Sequence, residues 1–592
     1  MSDIFTEISV NGDISRLIIN KYNPVIKYNF KAKNKKIEKG KIKINGIELT
    51  ISGKNGTLEI KKPLDIEEHI LGLGEKPFEL ERRRTKLTMW NSEPSGYTVY
   101  TDPIYSSTPF FISVDKNKKT GIFVNYPGKV TFDFGVSDYG NTTITVDNTG
   151  AEIFVITKSS IKDIIKEFTM LTGKPFQIPD WALGHTISRY SYFPEEKVIE
   201  VLKNYKESVK VDCVYLDIDY MNGYRLFEWD KNRFNNPTDM IKKIHKLGSK
   251  TVTIIDPSIK LDQNYESFKD GLGNYCETDS GELYSEKMWP GRSVYPDFFN
   301  KNAREWWGKK IKRWVSNYDI DGIWLDMNEP TVFNERRTFD KDVIHKLDDG
   351  RKLHHDEVHN AYPLMEAMAT KEALGKDSFV LSRAGYPGIQ KYAAMWSGDT
   401  KSSWEDMKIQ IPLLLSMSIS GMPYVGCDIG GFIGRSDPEL LSRYYQMCSL
   451  FPIFRNHKDK GYNDQEIYNI ETKYAQRIKK AIETRYNFIK YIKSLAAESS
   501  KYGTPIIRPL FYEFEDDENT YHINDQYMLG SKILFAPILE RGATGRDVYI
   551  PNGNWVDKDT RKSFKGPGYI HLDSDMPIFI RENGDKINGY DN

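Results

Sequence analysis

Between residues 181 and 458 the chain repeats one pattern: a short apolar run, a polar or charged residue at its carboxyl end, then an amphipathic span. WALGHTISRY (181–190), CVYLDIDY (213–220), SKTVTIIDP (249–257), GIWLDMNEP (322–330), SFVLSRAG (378–385), AAMWSGDT (393–400), PYVGCDIGGF (423–432) and LFPIFRNHK (450–458) are eight such runs. Short unbroken apolar runs suit strands of a parallel sheet, which is buried on both faces. Eight βα units that close on themselves make a TIM barrel, although an open two-sided sheet uses the same alternation. The polar residues favour the barrel. Asp217 and Asp219, Asp256, Asp326, Arg383, Asp399, Asp428 and His457 all sit at or just past the end of a run, the face on which barrels build their sites.

The linking spans read as helices. PEEKVIEVLKNYKESVK (194–210) puts Val198, Val201, Leu202, Tyr205 and Val209 on one face, with Pro194 near its first turn. A second runs through Met240, Ile241, Ile244 and Leu247 and stops at Gly248. The longest uncharged stretch, Ile409 to Cys427, contains Pro412 and Pro423 and reads as a buried helix leading into a strand rather than a membrane span.

Outside this region the rhythm changes. KIKINGIELTISGKNGTLEI (41–60) alternates, turns at Asn45-Gly46 and alternates again, as a half-buried antiparallel hairpin does. We therefore expect an N-terminal β-sandwich over residues 1–157 and a (β/α)8 barrel over 158–503. An insertion at about 258–300 should cover the barrel mouth, with a second, partly mobile excursion at 331–358. A C-terminal β-domain is expected over 504–592.

Composition narrows the partner. At 592 residues the chain exceeds one core. Its 83 basic and 83 acidic residues cancel, so no global field draws it to nucleic acid or an anionic membrane, and the expected partner is neutral. Cys213, Cys276, Cys427 and Cys448 are widely spaced and form no CxxC pair. Neither a zinc site nor a disulfide framework is expected, which fits a reducing cytoplasm. The opening MSDIFTEISVNGD lacks the basic and apolar regions of a secretory signal.

A rim rich in carboxylates and aromatics, with no cluster of Cys and His, points to cleavage of a glycosidic bond. A retaining glycosidase sets a nucleophilic carboxylate and a protonated carboxyl about 5–5.5 Å apart across that bond. Asp326 is the better nucleophile, because a rigid buried strand fixes it and Arg383, one strand on, can keep it ionised. Asp399 lies between Trp396 and Trp404, where an apolar wall would disfavour its charge and suit it to donate a proton.

Trp324-Leu325-Asp326-Met327-Asn328-Glu329-Pro330 resembles the signature of glycoside hydrolase family 31, the α-glucosidase family. LDIDYMNGYRLFEWD (216–230), MWPGRSVYPDF (288–298), LSRAGYPG (381–388), WSGDTKSSW (396–404), VGCDIGGF (425–432) and FRNHK (454–458) are similar to its other blocks, in its order. RPLFYEF (508–514) and DQYMLGSKILFAPIL (525–539) are similar to its C-terminal segment.

The resemblance implies Asp326 as nucleophile and Asp399 as general acid/base. It implies that Asp217, Arg383 and His457 bind the hydroxyls of a terminal glucose, that Trp289 and Trp396 wall the pocket, and that Asp428 supports its floor. Asp219 and Asp256 match family carboxylates that either touch sugar or orient those that do. An acidic residue from the N-terminal domain is also implied, and MWNSEPSGY offers Glu93. The DIDYM block favours glucose over xylose. The family's distal C-terminal β-domain is expected to be absent or truncated.

The expected activity is exo-acting hydrolysis of terminal α-linked glucose from maltose-like oligosaccharides, with retention. The implied partner is an oligosaccharide, not nucleic acid or membrane; no cofactor or metal is implied, and a homo-oligomer stays open. An α-xylosidase or glucosyl transferase of the same family is the nearest alternative, and a non-catalytic carbohydrate-binding protein a further one. His355-Asp356-Glu357-Val358-His359 places two histidines at i and i+4 as a metallopeptidase would, but has Asp where the HExxH motif has its catalytic Glu.

Overall fold

The computed structural model describes residues 4–115 and 118–582. In the hairpin that turns at Asn45-Gly46, Ile42 and Ile44 are buried while Lys41 and Lys43 are exposed. Asn45 and Gly46 both adopt left-handed backbone, φ 48° and 73°, as a two-residue hairpin turn requires. Such strands assemble into a seven-stranded and a six-stranded antiparallel sheet. Their inner faces share one core, with Ile8, Leu17 and Val155 from one sheet meeting Leu49, Ile60 and Phe132 from the other. The result is the expected sandwich. The helix Ile161–Thr172 packs on it, Phe168 stacking on Phe110 with ring centroids 3.8 Å apart.

The eight apolar runs form the barrel: β1 (His185–Arg189), β2 (Cys213–Leu216), β3 (Lys250–Ile255), β4 (Gly322–Leu325), β5 (Phe379–Ser382), β6 (Ala394–Trp396), β7 and β8 (Phe454–Asn456). Strand β7 comes in two pieces, Val425–Gly426 and Asp428–Ile429, on either side of Cys427. Each strand pairs in parallel with the next, and β8 pairs back to β1. The barrel is closed except for that interruption.

Most links are helical. The helix Glu195–Lys206 buries Val198, Val201, Leu202 and Tyr205, and Val209 follows half-buried beyond its end. Trp404–Ile419 carries the uncharged stretch, buried almost throughout. Between β5 and β6, however, there is only a 3-10 turn, Ile389–Lys391. Gly385, Pro387 and Gly388, the last at φ 103°, leave no room there for a helix.

The insertion after β3 forms a small sheet of Ile259–Lys260, Gly291–Val294 and Glu286–Met288. The excursion after β4, expected to be partly mobile, is instead tied down. Its Val343–Lys346 pairs with Lys352–His354 and with Glu277–Thr278 of the insertion. The helix Thr472–Tyr502 ends at Gly503, φ 74°, and a six-stranded antiparallel sheet follows. Among the described residues no helix is long and apolar enough to cross a membrane.

Candidate active site

The carboxyl ends of the barrel strands surround a cavity of about 370 Å³, within the range of small-molecule sites, about 300–1,000 Å³. Asp217, Asp256, Trp289, Asp326, Arg383, Asp399, His457 and Glu93 all line it. A larger hollow of about 690 Å³ lies against the helix Trp404–Ile419 and the C-terminal domain, and none of the strand-end carboxylates faces it.

Burying this many acids demands a compensating charge, and Arg383 supplies it. Its side chain is 2% exposed. Nε lies 3.0 Å from Asp326 Oδ1 and donates to Glu329 Oε1 at 2.8 Å; Nη2 donates to Glu329 Oε2 at 3.0 Å. Nη1 lies 2.9 Å from Glu93 Oε2 and 3.9 Å from Asp399 Oδ2. One guanidinium therefore meets four carboxylates from β4, β6 and the N-terminal domain.

These contacts separate the two candidate catalytic acids. Burial raises both above the usual carboxylate range. At Asp326 the Arg383 guanidinium opposes that rise, as does the Met327 N–H donating to Oδ1 at 2.7 Å. Asp399 has only the more distant end of the guanidinium and faces the negative charge of Glu93, so its carboxyl is held well above the usual range. Asp399 is the better proton holder.

Around them, Asp217 Oδ2 lies 3.5 Å from His457 Nε2. Burial raises Asp217 and Asp256 well above the usual range and lowers His457 well below its own, which favours the neutral imidazole. Asp256 Oδ1 and His457 Nδ1 are buried without a partner in the protein. Orphaned polar atoms facing a cavity are what a hydroxyl-rich ligand would satisfy. Trp289 stands at the mouth, 37% exposed, edge-on to Phe333 with centroids 4.9 Å apart.

Trp396 and Asp428 are not among the lining residues. Trp396 is 1% exposed, edge-on to Trp324 at 5.7 Å. Asp428 accepts a hydrogen bond from Arg455 Nη2 at 2.6 Å. That arginine lies within 4.9 Å of the Trp324 and Trp396 rings. Trp396 thus belongs to a layer beneath the cavity rather than to its wall, with Asp428 beside it. Asp219 is likewise drawn off, to Arg233 and Tyr224.

Sequence reasoning passed over Glu329, the bidentate partner of Arg383, although it lies in the same motif as Asp326. It also missed Tyr190, Phe333, Arg337, Phe432 and Asp459, which line the cavity as well. Phe432 stacks on His457 at 4.9 Å. Only its adjacency to GCDIGG could have flagged it.

Comparison with known proteins identifies the domains that build this cavity. The TIM-barrel domain of glycosyl hydrolases family 31 matches residues 175–495, that family's C-terminal domain matches 503–584, and its N-terminal galactose mutarotase-like domain matches 9–133. The chain belongs to glycoside hydrolase family 31. An α-glucosidase of Saccharolobus solfataricus is 42% identical over 97% of this chain and 87% of its own length. Alpha-glucosidase 2 of Bacillus thermoamyloliquefaciens is 39% identical over 88% of the chain and 67% of its own. Among solved structures, a Flavobacterium johnsoniae family 31 dextranase complexed with glucose superposes with a TM-score of 0.89 at 28% identity, over 97% of this chain and 77% of that one. The family 31 protein described here is a glycoside hydrolase.

Proposed function

We propose that this family 31 enzyme is a retaining, exo-acting α-glucosidase that removes terminal α-linked glucose from maltose-like oligosaccharides. The observation that carries the reading is the contact of Asp326 and Asp399 with two ends of one buried guanidinium inside a single cavity. The α-glucosidase names of the two relatives support the substrate class.

In this mechanism ionised Asp326 attacks the anomeric carbon while Asp399 gives its proton to the departing glycosidic oxygen. Positive charge develops on the sugar ring and is stabilised by the adjacent carboxylate. Asp399, now a carboxylate, deprotonates the water that releases glucose, and regains its proton. Asp217, Asp256 and neutral His457 hold the hydroxyls, and Arg383 keeps Asp326 ionised.

The test is proton NMR of the first product from an aryl α-glucoside, where the only glucose released is the one attacked. Retention gives the α-anomer first, and initial β-glucose would reject double displacement; on maltopentaose, release of internal fragments would reject exo action.

A further inference from the structure

The two histidines of HDEVH are not at the surface, and neither is a third. His345, His355 and His359 are each 0% exposed and form a single file between two acceptors. Asp297 Oδ1 lies 2.9 Å from His345 Nδ1, and His345 Nε2 lies 3.0 Å from His355 Nδ1. His355 Nε2 lies 2.9 Å from His359 Nδ1, and His359 Nε2 lies 2.8 Å from the Asn91 carbonyl oxygen. Four contacts of this length each need a hydrogen atom between the heavy atoms. Three neutral imidazoles carry only three. The Thr338 hydroxyl sits beside the file, 3.3 Å from both His355 Nε2 and His359 Nδ1, and so cannot place its hydrogen between those rings. Asp297 already accepts the Lys346 N–H at 2.7 Å and the Phe299 N–H at 3.3 Å, as a carboxylate does.

The far end of the file reaches the loop that carries Glu93. Trp90 stacks on His359 with centroids 3.8 Å apart. The Asn91 N–H donates to Asn360 Oδ1 at 2.8 Å, and two residues on, Glu93 meets Arg383. We propose that His345, His355 and His359 form a singly protonated chain that acts as a positioning device, clamping the N-terminal-domain loop that carries Glu93 onto the barrel. The fourth proton lies at the Asp297 end, where a carboxylate balances it. The other facing groups are the Cys276 thiol, 3.9 Å from His345 Nδ1, and Arg336, which is paired with Asp356. Burial first, and then the neighbouring positive charges, push His355 and His359 down, which disfavours placing the charge on either of those two rings. The catalytic part of this inference rests on the reading of the site given above; the proton count does not.

Two measurements test it. In the histidine-labelled enzyme, two-bond proton–nitrogen NMR at pH 8 should find four N–H protons over these rings, one ring being an imidazolium. Three N–H protons, or a stoichiometric metal bound by Cys276, Asp297 and His345, would overturn the count. For the clamp, His359→Leu should lower kcat/KM on maltose by on the order of 10²-fold, with little further loss when combined with Glu93→Ala. His359→Gln, which keeps one acceptor and one donor, should retain activity within a few-fold. Losses that add in the double variant, or equal losses for Leu and Gln, would remove the positioning role. If Glu93→Ala alone left maltose turnover unchanged while the NMR count held, the assignment of the pocket would fail and the chain would stand.

Discussion

Arg383 holds Glu329 through two parallel hydrogen bonds, 2.8 Å and 3.0 Å long. Both side chains are at most 2% exposed, so the pair is a fixed support for the carboxylates around it. Replacing Glu329 by Gln keeps the shape and removes the charge. The variant should unfold about 3–5 kcal/mol more easily, as breaking a buried pair does, and should lose activity because Arg383 becomes free to shift toward Asp326. Urea denaturation and maltose kinetics on the same sample check both.

Asp326→Asn should lower kcat by roughly 10⁴-fold or more, as loss of a nucleophile does, with circular dichroism and Tm close to wild type. Turnover within tenfold of wild type would remove Asp326 from the role.

Asp399→Ala should behave differently. Substrates with poor leaving groups such as maltose should slow by about 10²–10⁴-fold, the usual worth of general acid catalysis. Activated aryl glucosides should be nearly spared in the first step. Equal losses on both would exclude proton donation.

The pH profile follows from the two environments. The rate should fall as pH drops far enough to protonate Asp326, and fall again as pH rises through the raised value of Asp399. The limbs are properties of the coupled pair. With an aryl glucoside and Asp399→Ala the alkaline limb of the first step should disappear.

Asp256 offers a test on stability. Its folded-state value is raised well above the usual carboxylate range by burial. Its contribution is therefore fully present below about pH 3.9 and lost as pH rises above that. Asp256→Asn should consequently be more stable than wild type at pH 7, by about 1 kcal/mol or more, and the gain should shrink toward pH 4. Paired denaturation curves at both pH values measure it, and activity should fall in the same variant.

The barrel was legible because burial on both faces leaves unbroken apolar runs, and a charge at the end of a run marks the mouth. Asp326, Arg383 and His457 were found this way. The layer of a side chain was harder to read. Trp396 and Asp399 are three residues apart, but Trp396 ends the strand Ala394–Trp396 beneath the cavity while Asp399 lies beyond it, past Gly398 at φ 62°. Glu329 escaped because its partner lies on another strand, a pairing no local pattern shows. The histidine file escaped for a related reason: the turn that pairs Val343–Lys346 with Lys352–His354 brings His345 beside His355, its end groups Asp297 and Asn91 come from distant segments, and two of its three members resembled an unrelated motif.

The contact between Glu93 and Arg383 has a further consequence. The wall of the cavity is shared between the sandwich and the barrel, whose apolar cores also run together, so neither can be exchanged or trimmed away without leaving the other's chemistry open to water. The sandwich is in that sense a component of the catalyst, and its inheritance should be tied to that of the barrel it completes.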